Sequence, residues 1–327
     1  MTETIRVKNI DKEIEWNEFL RNQYNLFFDQ RFISYNDVFK KKIKWHHLMF
    51  RPEGTNKILA VMTGCERDAD GKKIFVSCDG LSYGGFLWKR KTDLITYFEV
   101  IESFKKYLAE NKFNSCIIRN PPFRYNNIPN EETDYALMKC GFEVTGISLT
   151  NIIDVKDFNF KKISGPKKRS IKKSSSVINV EVFEEKPDVH NFRDFYEVLL
   201  RNRELKSVKP THSFEELIYL KNKLKDEIVL FTAKIDSEMA AVCVLFKINS
   251  DMILNFYLAG DEKYKMNRVS EFLLYKSIEW SKENGYNYYD IGTSDMNGKL
   301  LEGLYAFKKK FLAHGFLRKT YEYKIKY

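Results

Sequence analysis

The sequence lacks the short motifs that identify several large classes of enzyme. It contains no HExxH, no phosphate-binding P-loop, no GxGxxG and no GxSxG, which argues against metal-dependent, nucleotide-hydrolase and α/β-hydrolase functions. Cysteine is scarce, with 5 residues and no CxxC pair, so a disulfide framework is not expected. His46 and His47 are adjacent and would point to opposite faces of a strand. No metal site is therefore predicted.

Long hydrophobic runs are also missing. The longest aliphatic run covers residues 240–246, far fewer than the ~20 residues that span a bilayer. Residues 1–11 are polar and mixed in charge, unlike a secretory signal peptide. The sequence thus predicts a soluble, cytoplasmic protein without an integral membrane segment.

The sequence does contain an internal repeat. Residues 93–154 and 268–323 share one order of amphipathic helix, short strand, loop, second helix and closing strand. Their Tyr-Ala and Gly-Phe pairs recur about 170 residues apart, an offset typical of a duplicated domain rather than of a solenoid. Those pairs begin at Tyr135, Tyr305, Gly141 and Gly315. Because 327 residues exceed one usual core, two domains with a ligand-binding cleft between them are predicted.

Each half has the pattern of an α/β domain. Apolar spacing predicts helices over 191–205 and 214–224, and Ser213 with Glu216 forms a capping box before the second. An antiparallel meander is predicted for strands over 228–233, 240–247 and 252–258. In the first half, strands over 58–63 and 73–77 predict a hairpin. Helices packed on a mixed sheet are expected in both halves.

Positive charge is concentrated in residues 158–180. This segment carries no acidic residue and includes Lys161, Lys162, Lys167, Lys168, Arg169, Lys172 and Lys173. Charge runs of this kind are usually solvated linkers. The alternative is a phosphate-binding element beside the cleft, because Lys168, Arg169, Lys172 and Lys173 would lie on one side of a short helix. The predicted organisation is a first domain over 1–157, a basic interdomain segment over 158–180 and a second domain over 181–327.

Lys308 is the strongest single candidate for a catalytic role. It falls on the apolar stripe of a helix predicted over 300–312, where a lysine is costly unless it snorkels, pairs or binds a ligand. It either pairs with an acid such as Asp290 or acts as a cation that binds phosphate or an oxyanion. Asp290 and Ser294 lie at the end of the preceding strand, a plausible place for polar groups in a cleft.

The first half offers candidate ligand contacts at strand ends, where open α/β sheets bind ligands. Gly84 and Gly85 allow close approach of a backbone to a ligand. Together with them, the first-half residues predicted to bind substrate are Tyr83, Arg124 and Tyr125.

These residues carry a resemblance to a known family. The run Tyr288 to Gly292, followed by Phe307-Lys308-Lys309-Lys310-Phe311, resembles the C-terminal signature of Fem-type peptidyltransferases and of related GNAT-like acyltransferases. The first half is similar to that family at Tyr83-Gly84-Gly85-Phe86, Pro122-Phe123-Arg124-Tyr125 and Glu132 to Leu137. Arg169 to Lys173 and Pro210-Thr211-His212-Ser213 also fit. The resemblance covers nearly the whole chain.

The resemblance implies two tandem GNAT-fold domains that transfer an acyl or aminoacyl group to an amine. The acceptor would be a nucleotide-linked or lipid-linked cell-envelope precursor. Lys308 would stabilise donor phosphate or the tetrahedral oxyanion, and Arg169 and Lys172 would hold acceptor phosphates. No metal or other cofactor is implied.

The sequence does not decide between two acyl donors or among three candidate general bases. Ordinary GNAT enzymes bind the pyrophosphate of acyl-CoA on a glycine-rich turn at a helix N-terminus, whereas residues 265–270 contain no glycine. A coiled-coil insertion often found in Fem factors that use tRNA-borne residues is also absent. The donor is therefore either aminoacyl-tRNA or acyl-CoA, with tRNA a possible partner. His212, Asp290 and Tyr257 are the candidate bases.

Two other functions remain alternatives. One is an acyl-CoA-dependent N-acyltransferase of surface-polysaccharide synthesis. The other is a non-catalytic RNA-binding tandem module that uses residues 158–180 and binds RNA with steep salt dependence.

Overall fold

The computed structural model describes residues 1–7, 14–39, 43–77, 79–126, 130–184 and 189–326. The chain forms two compact units. One comprises Met1–Leu149 with Leu317–Tyr327, and the other comprises Thr150–Phe316. Within the described residues, no helix is long and apolar enough to cross a membrane.

The first unit is a mixed sheet with helices packed on it. Its strands are β1 Thr2–Val7, β2 Trp45–Pro52, β3 Ala60–Ala69, β4 Lys72–Val76, β5 Gly85–Trp88, β6 Ser115–Arg119, the first part of β7 Glu143–Asp154 and the last part of β15 His314–Lys324. Its helices are α1 Ile14–Asn22, α2 Gln30–Ile33, α3 Tyr35–Phe39, α4 Leu94–Glu110 and α5 Glu132–Lys139. Strands β3 and β4 form the predicted hairpin, and β4 pairs with β6 in parallel.

Helix α4 illustrates how the sequence builds the core of this unit. Asp93 caps it by accepting a hydrogen bond from the Thr96 backbone N–H at 2.9 Å. Val100, Phe104 and Leu108 follow at helical spacing and are buried against the sheet. Burying one such side chain contributes about 1.5–3 kcal/mol, so this face holds the helix in place.

The second unit is also a mixed sheet flanked by helices. Its strands are the last part of β7, β8 Asn179–Phe183, β9 Ile228–Ile235, β10 Glu238–Lys247, β11 Met252–Gly260, β12 Tyr288–Thr293, β13 Asp295–Met296, β14 Lys299–Leu300 and the start of β15 His314–Lys324. Its helices are α6 Gly165–Ser174, α7 Val189–Glu204, α8 Phe214–Lys223, α9 Val269–Glu283 and α10 Glu302–Lys309.

The predicted local features of the second half are present. Strands β9, β10 and β11 form the antiparallel meander, and Ser213 with Glu216 forms the capping box of α8. Strands β11 and β12 pair in parallel over Met252–Leu254 and Tyr288–Asp290. The order across the large sheet of this unit is β7, β12, β11, β10, β9, β8.

The last strand of each repeat is not paired with its own repeat. Strand β6 pairs with residues Thr320 to Lys324 of β15, whereas β12 pairs with residues Thr150 to Asp154 of β7. This exchange is why the compact units divide at residues 149 and 317. The sequence prediction placed boundaries at 157 and 180 and kept the whole C-terminus in the second domain.

Candidate functional site

Lys308 is the buried residue of α10 and is only 3% exposed. Its ammonium group donates hydrogen bonds of 2.7 Å to the carbonyl oxygens of Gly292 and Thr293. Burial lowers the pKa of Lys308 to about 8, although the nearby carboxylates of Asp290 and Asp295 act in the opposite direction. A buried lysine whose pKa is lowered in this way is a candidate for a functional site.

A bulge in β12 creates the two carbonyls that Lys308 binds. The register between β12 and β7 shifts between Asp290 and Thr293, and Gly292 has φ +82, which favours glycine. Asp290 is 1% exposed, and its Oδ1 accepts bonds of 2.6 Å from the Gly292 backbone N–H and the Thr150 hydroxyl. Asp290 therefore shapes the bulge, and the bulge holds Lys308.

Ser294 extends this buried polar cluster. Its hydroxyl donates to Oδ1 of Asn151, and both residues are fully buried. The Asn151 side-chain N–H₂ has no hydrogen-bond partner in the described part of the chain. Leaving a buried donor unsatisfied costs about 1–3 kcal/mol, so this group is a candidate contact for a ligand. Sequence reasoning missed Thr150 and Asn151, whose only signal is a polar pair inside an apolar strand.

The parallel strands of the second unit separate beside this cluster. Their parallel ladder ends at Leu254 and Asp290, while β11 continues to Gly260. There the N-terminus of α9 approaches so closely that a Cβ on Gly260 would collide with the Ser270 hydroxyl. An open cavity of about 210 Å³ lies at this place, lined in part by Gly260, Lys265 and Arg268.

The N-terminus of α9 has no side-chain cap among the described residues. Arg268 precedes the helix in a left-handed conformation, φ 56, and its side chain makes no capping bond in the described structure. The first backbone N–H groups of a helix have no acceptor within the helix. These groups, together with the helix dipole, favour an anion at this position.

His212 and Tyr257 form a second group in the same unit. The Tyr257 hydroxyl accepts from the His212 backbone N–H at 3.0 Å and lies 3.1 Å from its Nδ1. Both residues are nearly fully buried, and burial raises the pKa of Tyr257. The Arg203 guanidinium lies 5.6 Å from the centre of the Tyr257 ring. This arrangement offers a polar pair for proton transfer on the α7 side of β11.

One lysine of the basic segment is arranged differently from its basic neighbours on α6. Arg169 and Lys172 lie on α6 and are exposed. Lys167 instead is buried, with Nζ 2.5 Å from Oε2 of Glu271 and 5.2 Å from the Phe311 ring centre. The signal that could have found Lys167 is its spacing from Ile171 and Ser174, the other buried residues of α6.

The candidate residues of the first half lie in the other unit. Tyr83 is buried, and its hydroxyl donates to Oδ1 of Asn25 at 3.2 Å. Gly84 and Gly85 are in close contact with residues of the same unit. A Cβ on Gly84 would collide with the Ser77 carbonyl, and a Cβ on Gly85 would collide with Asn120. Tyr125 is buried edge-on to Tyr83 at 5.1 Å, and Arg124 is half-buried beside Phe123. The close approaches that these glycines permit are therefore internal.

The structure thus divides the predicted residues into four groups. Lys308, Asp290 and Ser294 meet around the β12 bulge. His212 meets Tyr257, and Arg169 and Lys172 share the exposed side of α6. The remaining group lies in the first unit and comprises Tyr83, Gly84, Gly85, Arg124 and Tyr125.

Comparison with known proteins agrees with this architecture. Residues 166–309 match the family described as an acetyltransferase (GNAT) domain, whereas no curated protein matches the sequence. FemX has a similar fold, with a TM-score of 0.72, 12% identity and coverage of 98% of this chain and 97% of that chain.

Two further structures have similar folds. L-PGS from Bacillus licheniformis aligns with a TM-score of 0.59 and 12% identity, covering 95% of this chain and 91% of that chain. A tandem GNAT protein from the clavulanic acid biosynthesis pathway aligns with a TM-score of 0.56 and 8% identity, covering 100% and 99%. At these identities the likeness is one of fold.

The second unit therefore contains an acyltransferase domain of the GNAT class. The predicted fold class, tandem GNAT-like domains built on mixed sheets flanked by helices, is confirmed. The prediction of an acyltransferase is confirmed as well, and the similarity to Fem-type proteins holds for the fold.

Proposed function

We propose that the chain is an N-acyltransferase that moves an acyl or aminoacyl group onto an amine of a cell-envelope precursor or of a nucleotide-linked amino sugar. The acyl group comes from a phosphate-bearing donor, either aminoacyl-tRNA or acyl-CoA. The choice of acceptor rests on the sequence resemblance to Fem-type peptidyltransferases.

One observation carries the proposal: β11 and β12 separate next to an uncapped helix N-terminus. Beyond Leu254 the edge of β11 no longer pairs with β12, and an open strand edge can hydrogen-bond an extended ligand. At its end, the first turn of α9 and Arg268 border the cavity of about 210 Å³. An extended donor with a phosphate at one end fits this combination of strand edge and anion site.

The reaction requires a neutral amine near the acyl carbon. Its nitrogen attacks the carbonyl carbon, and a tetrahedral oxyanion forms. The C–O bond to the tRNA ribose or the C–S bond to CoA then breaks. The proton lost by the amine passes through a base to the leaving oxygen or sulfur.

Lys308 is the group we assign to the developing negative charge. Two of its three N–H groups are taken by Gly292 and Thr293, so one remains for an oxyanion or a donor phosphate. A cation fixed in a buried site stabilises such charge more strongly than one in water. His212 with Tyr257 is the pair we assign to proton transfer, because their polar atoms are already within hydrogen-bond distance.

The test is a transfer assay with two donors in parallel. Purified protein is incubated with a nucleotide-linked precursor peptide bearing a free amine and with either acetyl-CoA or aminoacyl-tRNA, and acceptor mass is followed by mass spectrometry. One donor is expected to give the mass increase of the acyl group, and an acceptor with a blocked amine is expected to give none.

A folded protein that transfers from neither donor but binds RNA of many sequences contradicts the proposal. Steep salt dependence of that binding would support the RNA-binding module instead.

A further inference from the structure

The N-terminus of α6 breaks the usual electrostatic rule for helices. Acidic residues are favoured in the first turn and cations in the last. Helix α6 has no acidic residue in its first turn, where Lys167 and Lys168 are followed directly by Arg169. The cap residue Ser164 makes no side-chain capping bond among the described residues. Local rules are typically broken in this way at functional sites.

The charges are also close to the helix end. Nη1 of Arg169 lies 3.8 Å from the position that a Cβ of Gly165 would take, so the guanidinium folds back toward the first turn. Positive side chains and the positive end of the helix dipole thus repel one another in the free protein. A bound anion would remove this repulsion.

A cavity of about 370 Å³ opens at this helix end and is lined by Ser164, Pro166, Lys167, Ser170, Arg268, Glu271 and Lys310. Among the described residues that line it, three side chains are cationic and one is acidic. Two helices therefore present their N-termini to one basic cavity, α6 through Ser164 and α9 through Arg268.

The single acid does not neutralise the cavity. Glu271 pairs with Lys167 at 2.5 Å and with Arg268 at 3.6 Å. Lys310 is exposed and has no carboxylate partner in the part of the chain that the structure describes. Lys310 therefore carries charge that no carboxylate of the described residues balances, and Arg268, which shares Glu271 with Lys167, has a side chain that is 61% exposed.

We infer that this cavity binds a phosphate group of the acyl donor, at a place separate from the α9 cavity near Gly260. The inference rests on the proposed acyl transfer for the identity of the ligand. Arg268 and Glu271 line both cavities, so a donor with phosphates at two places along its length can occupy the two at once. The 3′-phosphate of coenzyme A and the backbone of an RNA 3′ end both supply such groups.

Lys310 and Lys309 provide a matched pair for the test. They are adjacent, exposed and identical in charge, but only Lys310 is among the described residues that line the cavity. Equilibrium binding of coenzyme A, of dephospho-coenzyme A and of an RNA minihelix ending in CCA is measured for the wild type, Lys310→Ala and Lys309→Ala. Thermal unfolding confirms that each variant is folded.

The expected result is that Lys310→Ala weakens binding by about tenfold, the size of one charge-assisted contact, and that Lys309→Ala changes it by less than about twofold. Weakening of coenzyme A but not of its dephospho form assigns the site to the 3′-phosphate. Weakening of the minihelix, with a salt slope reduced by about 1, assigns it to RNA backbone.

Equal effects of Lys310→Ala and Lys309→Ala, or no binding of any of the three ligands, would overturn the inference. The charge-reversed pair Lys310→Glu and Lys309→Glu repeats the comparison with a larger perturbation. The binding measurement needs no acceptor, so it is independent of the transfer assay. If Lys310→Ala specifically weakens binding but the protein transfers no acyl group, the phosphate site is supported and the proposed transfer activity is contradicted.

Discussion

The ammonium nitrogen of Lys308 lies 2.7 Å from the carbonyl oxygen of Gly292. That carbonyl faces the lysine because β12 bulges after Asp290. The bulge in the strand and the ammonium group on the following helix are therefore held together by direct hydrogen bonds. The interaction fixes the cation at the end of a strand that has left its parallel partner. It also has consequences for stability and for activity that can be separated by pH.

Replacing Lys308 by methionine removes the charge and keeps the length of the side chain. Acyl transfer is expected to fall by about 10²–10³ in kcat, the loss seen when one oxyanion donor is removed. Because the ammonium is the working form, wild-type kcat is expected to decrease as pH rises through about 8, the pKa of Lys308. The control Lys309→Met should retain activity. A wild-type kcat that instead rises through this range would identify Lys308 as a base.

The same variant gives a readout that needs no substrate. The folded pKa of about 8 lies below the ordinary 10.5, so the unfolded chain holds more protons between these values. Stability therefore increases with pH across this window. Chemical unfolding at several pH values should show the wild type gaining stability relative to Lys308→Met between about pH 8 and 10.5. Parallel curves for the two proteins would contradict the assignment.

Local signals in the sequence were sufficient for most elements of the fold. Helix α8 was predicted over 214–224 and is found at Phe214–Lys223, because its capping box and apolar spacing lie within the segment itself. The pairing of the last strands was not predictable in the same way. Consecutive strands usually neighbour one another, and nothing local in residues 314–324 indicates that they pair with β6.

In the candidate site, too, local sequence predicted some features and could not predict those that depend on distant residues. The inward direction of Lys308 follows from helical spacing, but its partners depend on the β12 bulge and were not foreseen. The predicted apolar stripe, which comprised Leu301, Leu304, Tyr305, Phe311 and Leu312, was only partly right, since Leu301 and Leu304 are each 38% exposed. Helix α10 runs only from Glu302 to Lys309, so the stripe residues on either side of it do not share its helical phase. In the basic segment, counting charges could not distinguish the buried Lys167 from the exposed Arg169 and Lys172.

The exchange of closing strands predicts that the sequence-derived first domain will not fold alone. Residues 1–157 lack the strand that pairs with β6 from Thr320 to Lys324, and with it Tyr321, which is fully buried in the core of this unit. Loss of a buried aromatic side chain costs about 3–5 kcal/mol, a large part of the usual stability of a domain.

The control joins residues 1–149 through a flexible linker to residues 317–327, which restores the compact unit. Near-ultraviolet circular dichroism and thermal unfolding are expected to show a cooperative transition for this protein and none for residues 1–157. Equal, cooperative melting of both would mean that the closing strand contributes little to the unit.

Two adjacent buried histidines should make the first unit sensitive to acid. Burial lowers the pKa of His46 and of His47 from 6.5 to about 4. His46 lies between the Tyr107 hydroxyl, 2.6 Å from Nδ1, and the Glu66 carboxylate, 2.7 Å from Nε2. Burial raises the pKa of Glu66, but hydrogen bonds from Lys44, His46 and Lys73 lower it more, to about 2.

The sign of the effect follows from proton counts. Between about pH 6.5 and 4 the unfolded chain protonates both histidines and the folded chain does not, so stability decreases as pH falls through this window. A shift of this size corresponds to roughly 3 kcal/mol for each histidine when fully expressed. Protonation of Glu66 in the unfolded chain extends the loss from about pH 4.5 toward 2.

Urea unfolding between pH 7 and 4 measures this dependence directly. The double variant His46→Gln, His47→Gln is expected to lose less stability over this range than the wild type, even if it is less stable at pH 7. His314→Gln, at an exposed position, is the matched control and should follow the wild type. A wild-type stability that is constant from pH 7 to 4 would mean that the folded state protonates these rings as readily as the unfolded chain, and that their burial does not hold them neutral.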